Sequence, residues 1–360
     1  MRTRALILSQ FLLFFLLLVD SGQAMAAGER LRERMAERMG GRAGENGWAR
    51  SKESGDHEFS GIINAKPSTC AEQSRKVEAM KKRGRAARLT AGPTPDIADV
   101  KYGGDPLQAL DVFRPVDVAG GGLAPVIVMV HGGGWCVGDK SMKGVTANKV
   151  SRWTAKGFLF VSVNYPMVMD ALDALDQADE IARATAYIQQ HAHEWGGDGR
   201  RVILMGHSAG AHLVSLVNAD AGIRQRAGVA PLLGTVSLDS GAIDVPRQMP
   251  DVVPALTIRY REAFGTDESV WIKASPHHQL GKTAAPWLGV CSTTRPDDPC
   301  GQAQSYAEKS RALGIPADVL ALPKNHGALN SELGQPGSYT EKVEAFMASL
   351  DPVVAGLLGL

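Results

Sequence analysis

The stretch Arg201 to Ala219, RVILMGHSAGAHLVSLVNA, decides the fold. A short apolar run with the character of a buried strand enters Gly206-His207-Ser208-Ala209-Gly210, and an apolar run of helical character leaves it. A G-x-S-x-G turn between a strand and a helix holds its serine in a strained, exposed conformation, and the flanking glycines keep side chains clear of the turn. The helix N-terminus beneath such a serine presents free N–H groups and the positive end of a dipole to developing negative charge. Ser208 is therefore the candidate nucleophile.

Upstream, the continuous apolar run Ala124 to Val130 ends in His131-Gly132-Gly133-Gly134-Trp135. Consecutive glycines after a strand expose backbone N–H groups without obstruction, as the donors to an oxyanion must be. Further strand-like runs are Gly157 to Val163, Gly234 to Leu238, Ala285 to Val290 and Ala317 to Leu322. Runs that are apolar on both faces suit a mostly parallel sheet covered by helices. Leu172, Leu175, Ala178, Ile181, Ala182 and Ile188 keep a helical stripe, and Gln304 to Leu313 and Tyr339 to Leu350 are amphipathic. Alternation of this kind predicts one α/β domain with right-handed crossovers, assigned to residues 96–360.

The pairing of HGGGW with GHSAG resembles the α/β-hydrolase superfamily, and within it the hormone-sensitive-lipase-like carboxylesterases and their kynurenine-formamidase-like relatives. LDVFRP at Leu110 to Pro115, NYP at Asn164 to Pro166, SGAID at Ser240 to Asp244 and FGTDESVWIKASP at Phe264 to Pro276 are similar to other segments of that family. The resemblance covers about Val100 to Leu350. It implies an α/β-hydrolase fold, with a mostly parallel central sheet flanked by helices. It also implies Ser208 as nucleophile, with the N–H groups of Gly133, Gly134 and Ala209 holding the oxyanion and His131 bracing the glycine loop.

The family's chain order is serine, acid, histidine, with the histidine beyond the last strand. His326 in LPKNHGALN occupies that place. Of the other histidines, His57 lies outside the domain, His207 is expected to point away from the elbow, and His212 lies on the helix behind it. His191 and His193 end a helix on different faces, and His277 and His278 suit a local structural role. For the acid, the loop STTRPDDPC after the strand ending at Cys291 offers Asp297, which is favoured, and Asp298 beside it. This loop departs from the family's commoner G-x-x-D pattern, and Asp239 and Asp244, after the preceding strand, are the outside candidates. Either of the loop carboxylates would set the tautomer of His326 and stabilise its charged form.

The implied reaction is acyl transfer to water on a small ester, needing neither metal nor organic cofactor. An arylformamidase-like amide hydrolase would use the same residues, and a non-catalytic envelope binding protein could be built on the same scaffold. Val245 to Tyr260, with Trp135, Met167 and Met169, are candidates for the pocket wall.

Composition agrees with a globular protein. The 360 residues are 44% hydrophobic and 21% charged, and 39 basic against 38 acidic residues leave a formal charge of +1, so no overall field recruits nucleic acid or an anionic membrane. Arg2 and Arg4, the apolar run from Ala5 to Val19 and the small residues Ala24-Met25-Ala26 read as a signal peptide over residues 1–26. Its cleavage would leave no stable membrane insertion and predicts a periplasmic or secreted protein. Residues 27–95 are Gly-interrupted and charged, with basic patches at Arg30 to Arg38 and Arg75 to Arg88, and are expected to be a poorly structured, solvated tail with room for a short helix. Export would permit disulfides among Cys70, Cys136, Cys291 and Cys300. Cys291 and Cys300 close a short loop suited to a local staple; Cys70 with Cys136 would be a long-range pair; small buried hydrophobes are the alternative.

Overall fold

Strand after strand in this chain is apolar on both sides, so the sheet must be covered on both. The structure, a computed structural model, describes residues 66–82, 92–116, 122–168 and 172–360. Eight strands form one sheet: β1 (Ile97–Lys101), β2 (Ala109–Phe113), β3 (Ala124–Val130), β4 (Leu159–Val163), β5 (Gly197–His207), β6 (Gly234–Leu238), β7 (Trp287–Ser292) and β8 (Ala317–Leu322). Their spatial order is β1-β2-β4-β3-β5-β6-β7-β8. The pairs β1/β2 and β2/β4 are antiparallel, and all the others are parallel.

Alternation along the central strands sends side chains to two cores. Val126, Val128 and Val130 of β3, with Val202 and Leu204 of β5, join Ala178, Ile181 and Ile188 of the helix Ala174–His191 on one face. Ile127 and Met129, with Ile203 and Met205, meet Trp153 of the helix Lys143–Thr154 and Val343 and Met347 of the helix Ser338–Ala348 on the other. Burying one such side chain contributes roughly 1.5–3 kcal/mol, so the sheet is fixed from both sides and its C-terminal edge is a rigid platform. The helix Ala174–His191 starts at a capping box, in which the Asp173 carboxylate accepts the N–H groups of Leu175 and Asp176.

Two disulfides clip the loops above that edge. Cys291–Cys300 spans the loop after β7, with Cα atoms 5.2 Å apart. Cys70–Cys136 ties the helix Cys70–Lys82 to the residue after Trp135, with Cα atoms 4.9 Å apart. The expectation of a poorly structured segment over residues 27–95 is therefore corrected for this part of it. The charged helix lacks a core of its own, but the bond to Cys136 and the donation of the Cys70 N–H to Glu262 at 2.7 Å supply anchorage that composition does not reveal. The expected signal peptide and the basic patch from Arg30 to Arg38 lie outside the described residues.

Candidate active site

β5 runs straight into the elbow. Ser208, the residue between β5 and the helix Ala209–Ala219, has φ 57° and ψ −118°, a conformation that non-glycine residues avoid. Its N–H donates to Leu238 O at 2.9 Å, and its carbonyl accepts from His212 N at 3.1 Å, so neighbouring elements hold it in place. Glycine is obligatory on both sides: a Cβ at Gly206 would strike the Gly210 carbonyl, and one at Gly210 would strike the carbonyl of Val130. The chain there is packed too tightly for any side chain.

β3 delivers the glycine loop to the same point. A Cβ at Gly132 would stand 2.8 Å from both the Ser208 Cβ and the His207 carbonyl, so the two loops are in contact. Gly133 (φ 129°) and Gly134 (φ 62°) take left-handed conformations, and the Gly133 carbonyl accepts the N–H groups of Cys136 and Val137 at 3.3 Å each. That turn points carbonyls into the protein, as a loop that offers N–H groups to an anion requires. His131 supports it from below: its Nδ1 donates to Gly132 O at 2.8 Å, its ring stacks on Tyr165 at 4.6 Å, and Tyr165 Oη donates to its carbonyl at 3.0 Å. Burial holds its pKa below the ordinary histidine value, so it is a neutral brace.

Trp135, also at positive φ, roofs the loop. It packs edge-on against Tyr260 at 4.9 Å and Phe264 at 4.8 Å, and its Nε1 donates to His212 Nδ1 at 3.3 Å. His212 in turn donates from Nε2 to Ala274 O at 2.7 Å. Full burial pushes its pKa down to about 4, so it is neutral, as that tautomer demands.

The acid follows β6, beside β5, and the histidine follows β8, two strands further along the sheet. His326 opens the helix His326–Ser331, which Asn325 caps by accepting Ala328 N–H at 2.8 Å. The far end of this helix is held by the buried Lys149 ammonium, which donates to Asn330 O at 2.5 Å and Asn330 Oδ1 at 2.9 Å. His207 does not simply point away from the elbow. Its Nε2 donates to the His326 carbonyl at 3.0 Å, and its ring lies 4.5 Å from the His326 ring. Burial, reinforced by the neighbouring His326, lowers its pKa well below the ordinary value, so it braces the His326 loop as a neutral group.

His326 Nδ1 donates to Asp239 Oδ2 at 2.6 Å. Asp239 is the first residue after β6, fully buried, at φ 59°, with its other oxygen accepting the Ser292 N–H at 2.8 Å. Burial would raise its pKa, but the Arg295 guanidinium and the bond from His326 overcome this and hold the carboxyl well below the usual carboxylate range.

The sheet and the helices that cover it have recognisable counterparts among solved structures. Esterase B from Lactobacillus Rhamnosis matches at a TM-score of 0.60 with 18% identity, over 80% of this chain and 96% of that one. The chain has the α/β-hydrolase fold. A family model described as BD-FAE matches residues 110–229 of this chain, the span that contains both glycine motifs. Esterase LipQ of Mycobacterium tuberculosis is 26% identical over 249 residues, 65% of this chain and 57% of the relative. Esterase LipC of the same organism is 28% identical over 240 residues, 63% of this chain and 59% of the relative. The chain thus spans less than two thirds of the length of these curated relatives.

One residue choice needs correction. Asp297, the favoured acid, is not paired with His326. Its carboxylate is taken by Arg295, which donates from Nε to Oδ1 at 3.0 Å and from Nη2 to Oδ2 at 2.5 Å. Asp298 caps the helix Pro299–Ala312 by accepting the Gly301 N–H at 3.2 Å and pairs with Arg247 at 3.0 Å. Asp244 caps the helix Val245–Gln248 and faces His277 and His278 at 3.7 and 3.6 Å. Asp239, which the sequence placed only among outside candidates, is the carboxylate that reaches His326. The available signal was Arg295 itself: a guanidinium two residues before Asp297 competes for that carboxylate. Of the expected pocket wall, Val245 to Tyr260 folds into short helices over the sheet edge and Met167 is buried, while Met169 lies outside the described residues.

Proposed function

We propose that the protein is a serine carboxylesterase acting on small esters. Ser208 attacks the carbonyl, His326 takes its proton and later returns one to the leaving group, and Asp239 holds the imidazole and stabilises its charged form. The N–H groups of Gly133, Gly134 and Ala209 receive the oxyanion. The Ala209 N–H is the first of its helix and has no acceptor within it, so it is available for that bond. Water then hydrolyses the acyl-enzyme.

The observation that carries this reading is the 2.6 Å bond from His326 to the buried Asp239, beside a serine held in a strained turn against the glycine loop. The esterase names of the relatives support the reaction class. Replacing Ser208 by alanine tests it: hydrolysis of p-nitrophenyl acetate should fall by about 10⁴-fold or more, and full retention would refute the proposal.

Export is part of the proposal. Its supports are the basic and apolar run of the first 26 residues and the two disulfides, which an oxidising compartment permits. N-terminal sequencing of the protein from its native host should begin after Ala26; a chain still carrying Met1 would count against export.

A further inference from the structure

Arg259 stands over the glycine loop with no hydrogen-bond or ion-pair partner among the described residues. It lies on the helix Thr257–Phe264, and its Nη1 is 3.3 Å, its Cδ 3.7 Å, from where a Cβ of Gly134 would be. The helix is pinned there, because Tyr260 and Phe264, one turn apart, both pack edge-on against the Trp135 ring. Arg259 Nε is buried and makes no hydrogen bond, and among the described residues the guanidinium has no ion pair. The carboxylate that bears on it, Glu262, three residues along its own helix, accepts the Cys70 N–H at 2.7 Å instead. Burial lowers its pKa, a cost that Tyr260 and Glu262 only partly offset. A half-buried guanidinium with a dry, unmatched Nε is expensive unless something anionic arrives.

We propose that Arg259 recognises a carboxylate carried by the substrate, so that this site prefers small anionic esters, such as half-esters of dicarboxylic acids, over neutral ones. The inference rests on the esterase reading above. Gly134 is one of the oxyanion donors in that reading, so Arg259 sits a short spacer away from the carbonyl under attack. The planar fork of a guanidinium binds a carboxylate through two parallel bonds, which orients the ester as well as holding it. Because the carboxylate is not at the reacting centre, its contribution is to binding and placement rather than to the proton transfers.

The full-length protein can be tested with matched pairs. Monomethyl glutarate against methyl pentanoate places the charge on the acyl side, and acetoxyacetate against propyl acetate places it on the alcohol side. The wild type should favour the anionic member of at least one pair in kcat/KM by roughly ten- to hundredfold, the worth of a charge-assisted bond. In Arg259→Gln that ratio should fall to near one, chiefly through KM, while Arg259→Lys retains part of it. A purely structural role would lower both members of a pair together and leave the ratio unchanged, which would overturn the inference. Wild-type ratios at or below one in both pairs would also overturn it, whether or not Arg259→Gln folds. Neutral esters cleaved without preference leave the esterase reading standing; no cleavage of any of the four removes both.

Discussion

Asp239 Oδ2 accepts from His326 Nδ1 at 2.6 Å and from Arg295 Nη1 at 2.9 Å, so one buried oxygen serves the histidine and a guanidinium together. Arg295 also holds Asp297, and its Nη1 lies 3.1 Å from His326 Nδ1. The arrangement keeps Asp239 ionised and presents it to the imidazole, while Asp297 serves to fix Arg295.

Two substitutions separate these carboxylates. Asp239→Asn should lower kcat by about 10⁴-fold, because the amide no longer enforces the productive tautomer. Asp297→Asn should leave most of the activity and reduce stability, since half of a buried guanidinium loses its charged partner; removing one member of such a pair costs about 3–5 kcal/mol, and the bond to Asp239 keeps the effect at the lower end. Ester kinetics and chemical denaturation of the two variants distinguish the roles, and the reverse ranking would restore Asp297 as the acid.

Gly132→Ala should abolish most activity without unfolding the chain. The new methyl would lie 2.8 Å from the Ser208 Cβ and the His207 carbonyl, so the serine or the glycine loop must shift. Misplacing one oxyanion donor costs about 10²–10³ in kcat. Circular dichroism should remain native while hydrolysis falls.

Stability should fall between pH 6.5 and about 4. His212 titrates near 4 in the folded protein, while its ordinary value is 6.5, so below 6.5 the unfolded chain binds the extra proton and folding loses ground as the pH drops. His131 and His207 are shifted in the same direction by burial. For His212 alone the linkage amounts to about 3 kcal/mol. His212→Gln, which can still accept from Trp135 and donate to Ala274, should flatten the dependence of Tm on pH across that window.

Opening the disulfide Cys291–Cys300 by Cys291→Ser with Cys300→Ser should reduce stability by about 2.5 kcal/mol on the loop-closure account. It should also lower activity, because the loop it closes carries Arg295. Unchanged ester kinetics in the double variant would show that Arg295 is held without it.

The sheet was legible because both its faces are buried. β3, β6 and β8 begin and end where the apolar runs Ala124 to Val130, Gly234 to Leu238 and Ala317 to Leu322 do. The glycine motifs were legible because steric exclusion leaves no other residue possible at Gly206 and Gly210. The acid was not, because four aspartates stood within two loops and their roles depend on which partner each meets in space. Arg295 takes Asp297, helix N-termini take Asp244 and Asp298, and Asp239 remains for His326. The anchorage of the helix Cys70–Lys82 was undecided for a related reason: its anchors, Cys136 and Glu262, are 66 and 192 residues away in the chain.

The most direct measurement is the site of covalent modification by a fluorophosphonate, read by peptide mass spectrometry on the intact, disulfide-bonded protein. The account predicts a single adduct on Ser208, formed in step with loss of ester hydrolysis and strongly slowed in Asp239→Asn. An enzyme that cleaves p-nitrophenyl acetate while Ser208 stays unmodified would contradict it.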